Sequence, residues 1–259
     1  MTRKAILIES SNVKDQTDLP GARVDILNWK SFLNSELGGS WLDSELEILN
    51  KPFPSQVDNA LKVATDCYCF VAFSGHGCNG SVLLNEYYHN HPISALKPKS
   101  ERGTLIVDAC RGVADPVALF ANVKVAMLNA SLTKSVAVEA LQGRSTVFCS
   151  AMDTSRILNR IQRTASNRSR WDSALNASLR GVVEMLACAK GQAAGENPSA
   201  GGYYTSLLMQ SAELWDQRTI QPSTHSTKDA HDYAAAKLPS QQTPEYSPSW
   251  IDFPFAVST

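Results

Sequence analysis

Two short apolar runs in the chain each end at a side chain that can do chemistry. Cys67–Ser74 (CYCFVAFS) leads into Gly75-His76-Gly77, and Thr104–Val107 (TLIV) leads into Asp108-Ala109-Cys110-Arg111-Gly112. Runs of β-branched and aromatic residues bounded by glycines predict strands that are buried on both faces. In open α/β sheets, ligands bind beyond the carboxyl ends of such strands. The pattern therefore predicts that His76 and Cys110 lie at the tips of core strands, where a ligand would bind.

A cysteine and a histidine in this setting indicate nucleophilic catalysis. A thiol becomes a useful nucleophile when a neighbouring imidazole takes its proton or stabilises its thiolate. His76 alone could be an ordinary strand-end histidine, and Cys110 alone a buried structural thiol. Glycines on both sides of His76 and after Cys110 favour the catalytic interpretation, because glycine admits close approach of backbone or ligand.

Composition excludes several other classes of protein. The chain has 259 residues, 43% of them hydrophobic and 19% charged, so it can bury a single large core. Its formal net charge of −1 gives no electrostatic reason to expect nucleic acid or an anionic membrane as a partner. The apolar run that follows Lys4 is too short for a signal-peptide core. With no export signal, the six cysteines are expected to be reduced thiols in the cytoplasm.

The order of apolar runs and turn signals predicts an α/β fold. Alternation of strands and helices favours a mostly parallel central sheet with helices on both faces. Strands are predicted at Lys4–Glu9, Leu46–Leu49, Cys67–Ser74, Thr104–Ala109 and Ser145–Ser150, and helices at Gly21–Leu37, Pro54–Ala64, Ser131–Gln142 and Trp171–Lys190. The last helix is inferred from Leu175, Leu179, Val182, Val183 and Leu186, which fall near one helical face.

The stretch between Ser150 and Gly202 is predicted to be an accessory insertion at about 154–202. Five arginines crowd its first half, at positions 156, 160, 163, 168 and 170, among polar residues. Either this is a solvated basic loop beside a packed helix, or it is a regulatory lid that covers the site or is itself cleaved. Exposed flexible segments are preferred sites of proteolytic nicking.

The two motifs together resemble those of the caspase-like cysteine peptidases, and most of all those of short bacterial metacaspase-like proteins. Asp108 stands where the caspase motif has glutamine, and His76 lies 34 residues before Cys110, against about 50 in caspases. Further similarity to this family is found, in the expected order, in Leu19–Asp25, Phe148–Ala151, Gly202–Thr205 and Phe253–Val257.

The resemblance implies a caspase-like three-layer sandwich and a single peptidase domain over residues 1–259. It also implies that Cys110 attacks the scissile carbonyl while His76 acts as general acid for the leaving amine. The backbone N–H groups of Gly77 and Cys110 would hold the oxyanion. No metal or organic cofactor takes part in this chemistry.

Acidic residues near the two motifs predict the substrate. Metacaspase-like enzymes hold arginine or lysine with acids, and Asp108 shares the face of Cys110 along a strand. Asp25, Ser74 and, more loosely, Asp153 are expected to complete a pocket for a guanidinium, which carboxylates grip bidentately. Asp25 could instead be an ordinary aspartate near a helix N-terminus.

The expected function is a cytoplasmic cysteine endopeptidase that cuts proteins after arginine in preference to lysine. Its pathway would be bacterial stress, defence (including antiviral defence) or cell death, and it would have an activating partner protein. A catalytically silent caspase-like scaffold is the alternative, whereas an esterase would need a nucleophile elbow that the chain lacks. Zinc at Cys78, His89 and His91 lacks a fourth ligand, and acids near the motifs are too few for calcium.

Overall fold

A computed structural model of the chain describes residues 2–112 and 151–259, with side chains described at 2–112 and 162–259. Its strands are β1 (Arg3–Ser10), β2 (Leu46–Asn50), β3 (Tyr68–Gly75), β4 (Gly77–Cys78), β5 (Ser81–Leu84), β6 (His89–Pro92), β7 (Arg102–Asp108), β8 (Gly181–Leu186), β9 (Glu196–Asn197), β10 (Gly201–Gly202), β11 (Thr224–Ser226), β12 (Glu245–Ser247) and β13 (Pro254–Val257). Its α-helices are α1 (Pro20–Asn34), α2 (Pro54–Lys62), α3 (Ala151–Ala177), α4 (Tyr203–Asp216) and α5 (Thr227–Lys237). Short 3-10 turns cover Asp43–Glu45 and Ile93–Leu96.

The central sheet has six strands in the order β12-β8-β7-β3-β1-β2. Among the described strands of this sheet, β1, β2, β3, β7 and β8 run parallel, and β12 is antiparallel to its neighbour. Parallel strands bring their carboxyl ends to one edge of a sheet, so β3 and β7 finish side by side with Ser74 opposite Asp108. The predicted mixed α/β fold with a mostly parallel sheet is confirmed.

Both faces of the central strands are buried, because successive side chains alternate between two cores. One core joins Ala5, Leu7, Phe70, Ala72 and Ile106 to α1, α3, α4 and α5. The other core joins Ile6, Ile8, Val71, Phe73 and Val107 to α2, β5 and the 3-10 turn at Ile93–Leu96. The apolar runs that predicted these strands are therefore continuous because neither face meets water. None of the helices in the described part of the chain has the length and apolar character of a membrane span.

Helix α3 is held to the sheet by an aromatic cluster. The Trp171 ring packs 5.4 Å from Trp41 and 5.3 Å from Tyr68, measured between ring centroids. The Arg3 guanidinium lies between the two tryptophans, 4.8 Å and 5.0 Å from their rings, and burial lowers its pKa to about 10. The buried charge is thus shielded by two π faces.

Several predicted elements are confirmed near their expected bounds. The first four predicted strands form as β1, β2, β3 and β7, and the first two predicted helices form as α1 and α2. Helix α4 begins just after Gly202. In the stretch of chain between β3 and β7, strands β4, β5 and β6 form a three-stranded antiparallel sheet. The closing strand β13 forms, but it pairs with β11 in a separate two-stranded sheet. The helix predicted at Ser131–Gln142 and the strand at Ser145–Ser150 lie outside the described residues.

The helix predicted over Trp171–Lys190 is wrong in its second half. Helix α3 ends at Ala177, and Gly181, at φ 144°, begins strand β8. Val182, Val183 and Leu186 also fit a helical spacing, but a β-branched pair after glycine is equally typical of a strand. Since β8 lies between β7 and β12 in the central sheet, the segment at about 154–202 is not merely accessory.

Trp171 tests how α3 is anchored. It is only 2% exposed, whereas Trp250 is 73% exposed and serves as a matched control. Trp171→Ala is expected to lower the free energy of unfolding by about 3–5 kcal/mol, because it empties a buried aromatic site. Trp250→Ala should change it by less than about 0.5 kcal/mol. Urea denaturation measures both, and equal effects would show that α3 is not packed as described.

Candidate active site

The two sequence motifs meet at the ends of β3 and β7. The backbone N–H of His76 donates to Ser10 O at 3.2 Å, which ties the turn after β3 to the end of β1. A Cβ on Gly77 would lie 2.6 Å from the carbonyl oxygen of Cys110. Only glycine therefore allows the histidine turn to lie this close to the cysteine, as the sequence predicted from the glycines around His76.

His76 is buried and held by a backbone carbonyl. Its Nε2 lies 2.8 Å from the carbonyl oxygen of Thr17, in the loop between β1 and α1. A carbonyl can only accept, so Nε2 carries the proton and Nδ1 is left to exchange one. Burial lowers the pKa of His76, while hydrogen bonds with the backbone of Thr17 and Ser11 and the charge of Asp18 oppose that change.

The Cys110 thiol points toward the segment that follows β8. It is half-buried, and its Sγ donates to the carbonyl oxygen of Ala194 at 3.7 Å. Burial raises the pKa of Cys110 above its ordinary value of 9.0, and the charges of Asp108 and Glu196 raise it further. The described geometry is therefore that of a neutral thiol bonded to the main chain.

A cleft beside Cys110 gathers three carboxylates. It is lined by Leu19, Ala22, Asp25, Ser74, Gly75, Asp108, Ala109, Cys110, Ala194, Gly195, Glu196 and Gly202. Three of the predicted pocket residues, Asp25, Ser74 and Asp108, are thus brought together. Each comes from a different element: α1, β3 and β7.

The two aspartates are fixed by hydrogen bonds to the cleft walls. Asp25 Oδ2 accepts from the Ser74 hydroxyl at 2.6 Å, and Oδ1 accepts from the Gly202 N–H at 2.8 Å. Asp108 Oδ2 accepts from the N–H and hydroxyl of Thr205 at 3.1 Å and 2.8 Å. These bonds place both carboxylates at the first turn of α4, whose positive end favours negative charge.

Asp153, the fourth predicted pocket residue, has a side chain outside the described residues. Its backbone lies in the first turn of α3. In the described structure Glu196 is the third acid of the cleft. It lies ten residues past β8, and its carboxylate faces the N–H groups of Gly21 and Ala22 at the start of α1. Asp153 was expected in the pocket because it follows the strand predicted at Ser145–Ser150, which lies outside the described residues. Among the described strands, β8 pairs with β7 on the side away from β3.

Burial raises the pKa of all three acids. It raises the pKa of Asp108 to about 6 and that of Glu196 to about 7. The pKa of Asp25 is raised by burial and by the charge of Asp108, which outweigh the hydrogen bonds from Ser74 and Gly202. No lysine or arginine among the described residues forms an ion pair with any of the three. The cleft thus brings three acids together without a described cation of the protein beside them, and each gives up its proton less readily than an ordinary carboxyl.

Two main-chain groups of the site could not be predicted from the sequence pattern. The carbonyls of Thr17 and Ala194 orient the imidazole and the thiol, and a backbone carbonyl is present whatever the side chain. Glu196 did have a signal: the small residues Ala187, Cys188 and Ala189 follow an apolar run, and glycines and then an acid come after them.

The arginines of α3 are only partly described. Arg168 forms an ion pair with Glu45 and donates to Ser40 O at 3.0 Å. Arg170 donates to Ser258 O at 2.7 Å. These two side chains fasten α3 to the rest of the fold, so the expectation of a solvated basic loop is wrong at Arg168 and Arg170. The side chains of Arg156 and Arg160 lie outside the described residues.

Within residues 2–112 and 162–259, no cluster of three or more histidine, cysteine, aspartate or glutamate side chains is arranged to hold a metal ion. Cys78, His89 and His91 come from the small β4–β5–β6 sheet. His91 lies 3.9 Å from Asp58, and His89 Nδ1 lies 3.0 Å from Asn85 Oδ1. Asn85 therefore engages His89, whereas His91 Nε2 has no hydrogen-bond partner among the described residues.

Solved structures share this fold. Protein GSU0716 from Geobacter sulfurreducens superposes with a TM-score of 0.56 at 14% identity, and the match covers 100% of both chains. Caspase-1 from Spodoptera frugiperda superposes with a TM-score of 0.56 at 11% identity, covering 96% of this chain and 90% of that one. At such low identity the likeness shows the fold alone. No curated protein matches the sequence.

A model of the caspase domain family, peptidase family C14, matches residues 2–253. That range includes both motifs, all three carboxylates of the cleft and every strand of the central sheet. The sheet order and the meeting of the two motifs at its carboxyl edge agree with the match. The chain therefore belongs to the caspase domain family.

Proposed function

We propose that the protein is a cysteine endopeptidase that cleaves protein substrates after arginine, and less well after lysine. The cleft beside Cys110 carries this proposal, since it places a thiol next to three carboxylates that lack a cationic partner among the described residues. A substrate that brings its own cation would balance that charge. The positive side chain and the bond to be cut would then occupy one continuous cleft.

In the proposed reaction Cys110 first turns from the carbonyl of Ala194 toward His76. Its proton passes to Nδ1 of His76, and the thiolate attacks the scissile carbonyl carbon. The N–H groups of Gly77 and Cys110 donate to the resulting oxyanion. The imidazolium, held by Thr17 O, returns the proton to the leaving amine, and water then hydrolyses the thioester.

Arginine fits this cleft better than lysine does. A guanidinium presents donors in a plane and can engage two carboxylates at once, whereas an ammonium is a compact point charge. Asp25 has both oxygens in hydrogen bonds, but the bonds to Asp108 use only Oδ2. Asp108 Oδ1 and the half-buried Glu196 are therefore the acceptors that we assign to the substrate cation.

A silent scaffold with the same fold remains the competing function, and catalysis separates the two. An intracellular bacterial role in stress, defence or cell death, with an activating partner, belongs to the proposal as its setting. An arginyl chloromethyl ketone is the simplest test. It should alkylate Cys110, as peptide mapping would show, because the arginyl group delivers the reactive carbon to the thiol.

The catalytic pair is tested by Cys110→Ala and His76→Ala. Each is expected to reduce cleavage of an arginyl peptide to below a few per cent of wild-type turnover, because the nucleophile or its proton carrier is lost. Cys67→Ala is the matched control, since Cys67 precedes β3 at the opposite end of the strand from His76. If either active-site variant keeps substantial turnover after contaminating proteases are excluded, the pair is wrongly assigned.

The pocket is tested by Asp108→Asn and Glu196→Gln, which keep side-chain size and remove charge. Loss of one partner of a buried charge pair costs about 2–5 kcal/mol in recognition. We therefore expect kcat/KM for arginyl peptides to fall at least about 30-fold in Asp108→Asn. Glu196→Gln should fall in the same direction by a smaller factor, because Glu196 is less buried.

Asp43→Asn is the control for the pocket variants, because this surface carboxylate pairs with Lys30 away from the cleft. It should leave kcat/KM unchanged. A peptide library in which aspartate is preferred before the cut would overturn the assignment of the pocket.

The raised pKa of Glu196 also predicts a pH-dependent stability. A carboxyl whose pKa is higher in the folded state favours folding at low pH, and that contribution is lost as pH rises through about 7. Relative to wild type, Glu196→Gln should therefore gain in Tm as pH is raised from about 5 to about 8. Thermal unfolding of the free protein measures this difference, and a constant difference would show that the carboxyl is not perturbed.

A further inference from the structure

One short segment holds both the resting thiol and the third carboxylate of the cleft. In the stretch that follows β8, the carbonyl of Ala194 accepts from Cys110, and Glu196 lies in the cleft. Gly195 stands between them, and its carbonyl accepts from the Tyr203 N–H at 2.9 Å. The position of Gly195 therefore sets where both neighbours lie.

The side chain of Gln242 forms hydrogen bonds to this segment. Its side chain is 1% exposed and comes from the loop between α5 and β12. Its Oε1 accepts from the Gly195 N–H at 3.0 Å, and its Nε2 donates to Ala187 O at 3.1 Å. One amide thus joins the start and the end of the segment 187–195 and fixes the path of the chain between them.

A second glutamine fastens the same two loops nearer the surface. Gln192 Oε1 accepts from the Thr243 N–H at 2.7 Å and from the Ala189 N–H at 3.2 Å. The hydrogen bonds of Gln192 lie near the surface, so water can replace them. The hydrogen bonds of Gln242 are buried, so their backbone partners would be left unsatisfied if the amide were removed.

We propose that Gln242 is a positioning residue for substrate specificity: its amide holds Gly195 so that Glu196 faces the cation of the substrate. This inference rests on the proposed function. Gln242 does not line the cleft, and it acts through the backbone of Gly195. It therefore affects binding of the substrate's cation more than the chemical step.

The test compares Gln242→Met with Gln241→Met. Methionine has nearly the shape of glutamine but lacks both polar groups, and Gln241 is the exposed neighbour. In Gln242→Met the KM for an arginyl peptide is expected to rise about tenfold, which corresponds to about 1.4 kcal/mol, while kcat changes by less than about threefold. The ratio of arginyl to lysyl kcat/KM should also fall, because Glu196 no longer meets the guanidinium at a fixed angle.

Two further measurements separate positioning from a loss of structure. The rate at which iodoacetamide alkylates Cys110 should stay within about twofold of wild type, since this small reagent does not use the pocket. Gln242→Glu keeps the acceptor for Gly195 N–H and loses the donor to Ala187 O, so its KM should lie between those of wild type and Gln242→Met. This variant decides the question if Gln242→Met does not fold.

An unchanged KM and an unchanged arginyl preference in folded Gln242→Met would overturn the proposal. A parallel loss of kcat, of the iodoacetamide rate and of Tm would also overturn it, because the role would then be structural. If wild type itself neither cleaves arginyl peptides nor reacts with the arginyl chloromethyl ketone, the proposed function fails, and the specificity role fails with it. Failure confined to the Gln242 variants leaves the proposed function standing.

Discussion

The hydrogen bonds from Thr205 to Asp108 join the tip of a central strand to the first turn of α4. Asp25 completes the junction by accepting from Gly202, just before the same helix. A Cβ on Gly202 would lie 3.0 Å from Asp25 Oδ2, so the chain can pass between the two carboxylates only as glycine. Strand, helix and cleft are thus positioned by one set of buried charges, and the thiol two residues past Asp108 takes its place from it.

The same buried acids lower the stability of the fold and form the pocket of the proposed function. Burying carboxylates without cations is unfavourable, and within residues 2–112 and 162–259 it is offset by N–H groups, hydroxyls and the positive ends of two helices, with no lysine or arginine paired to them. A salt bridge within the protein would stabilise the fold but fill the cleft. Acids with raised pKa values that cluster in a cleft are a common feature of binding sites.

Much of the fold could be predicted from the sequence, because the central strands are buried on both faces and so appear as unbroken apolar runs. His76, Cys110, Ser74 and Asp108 were predicted for the same reason, since each stands at a fixed offset from such a run, whereas Asp25 was predicted from the resemblance of Leu19–Asp25 to the family. Glu196 was missed because β8 is short, and its Val182-Val183 pair also fits a helical spacing.

Gln242 could not have been found from the sequence, because nothing in the sequence distinguishes it from its neighbour Gln241. Burial alone separates them, and burial depends on the whole fold. The roles of the carbonyls of Thr17 and Ala194 are even harder to predict from the sequence, since every residue type has the same main-chain oxygen. Sequence patterns therefore predict the elements and the reactive side chains, and leave the groups that orient them to be seen in three dimensions.

The partner of His76 has a consequence for how this site can change. Because Thr17 offers its main-chain oxygen, nearly any side chain at that position could support the imidazole equally well. A scan of single substitutions would record position 17 as tolerant, although the site depends on it. The constraint acts on the length and path of the loop from Ser11 to Leu19, which is itself tied back by the bond from Leu19 N–H to Ser11 O at 3.0 Å. Insertions and deletions there, rather than replacements, are the changes that would turn the histidine away.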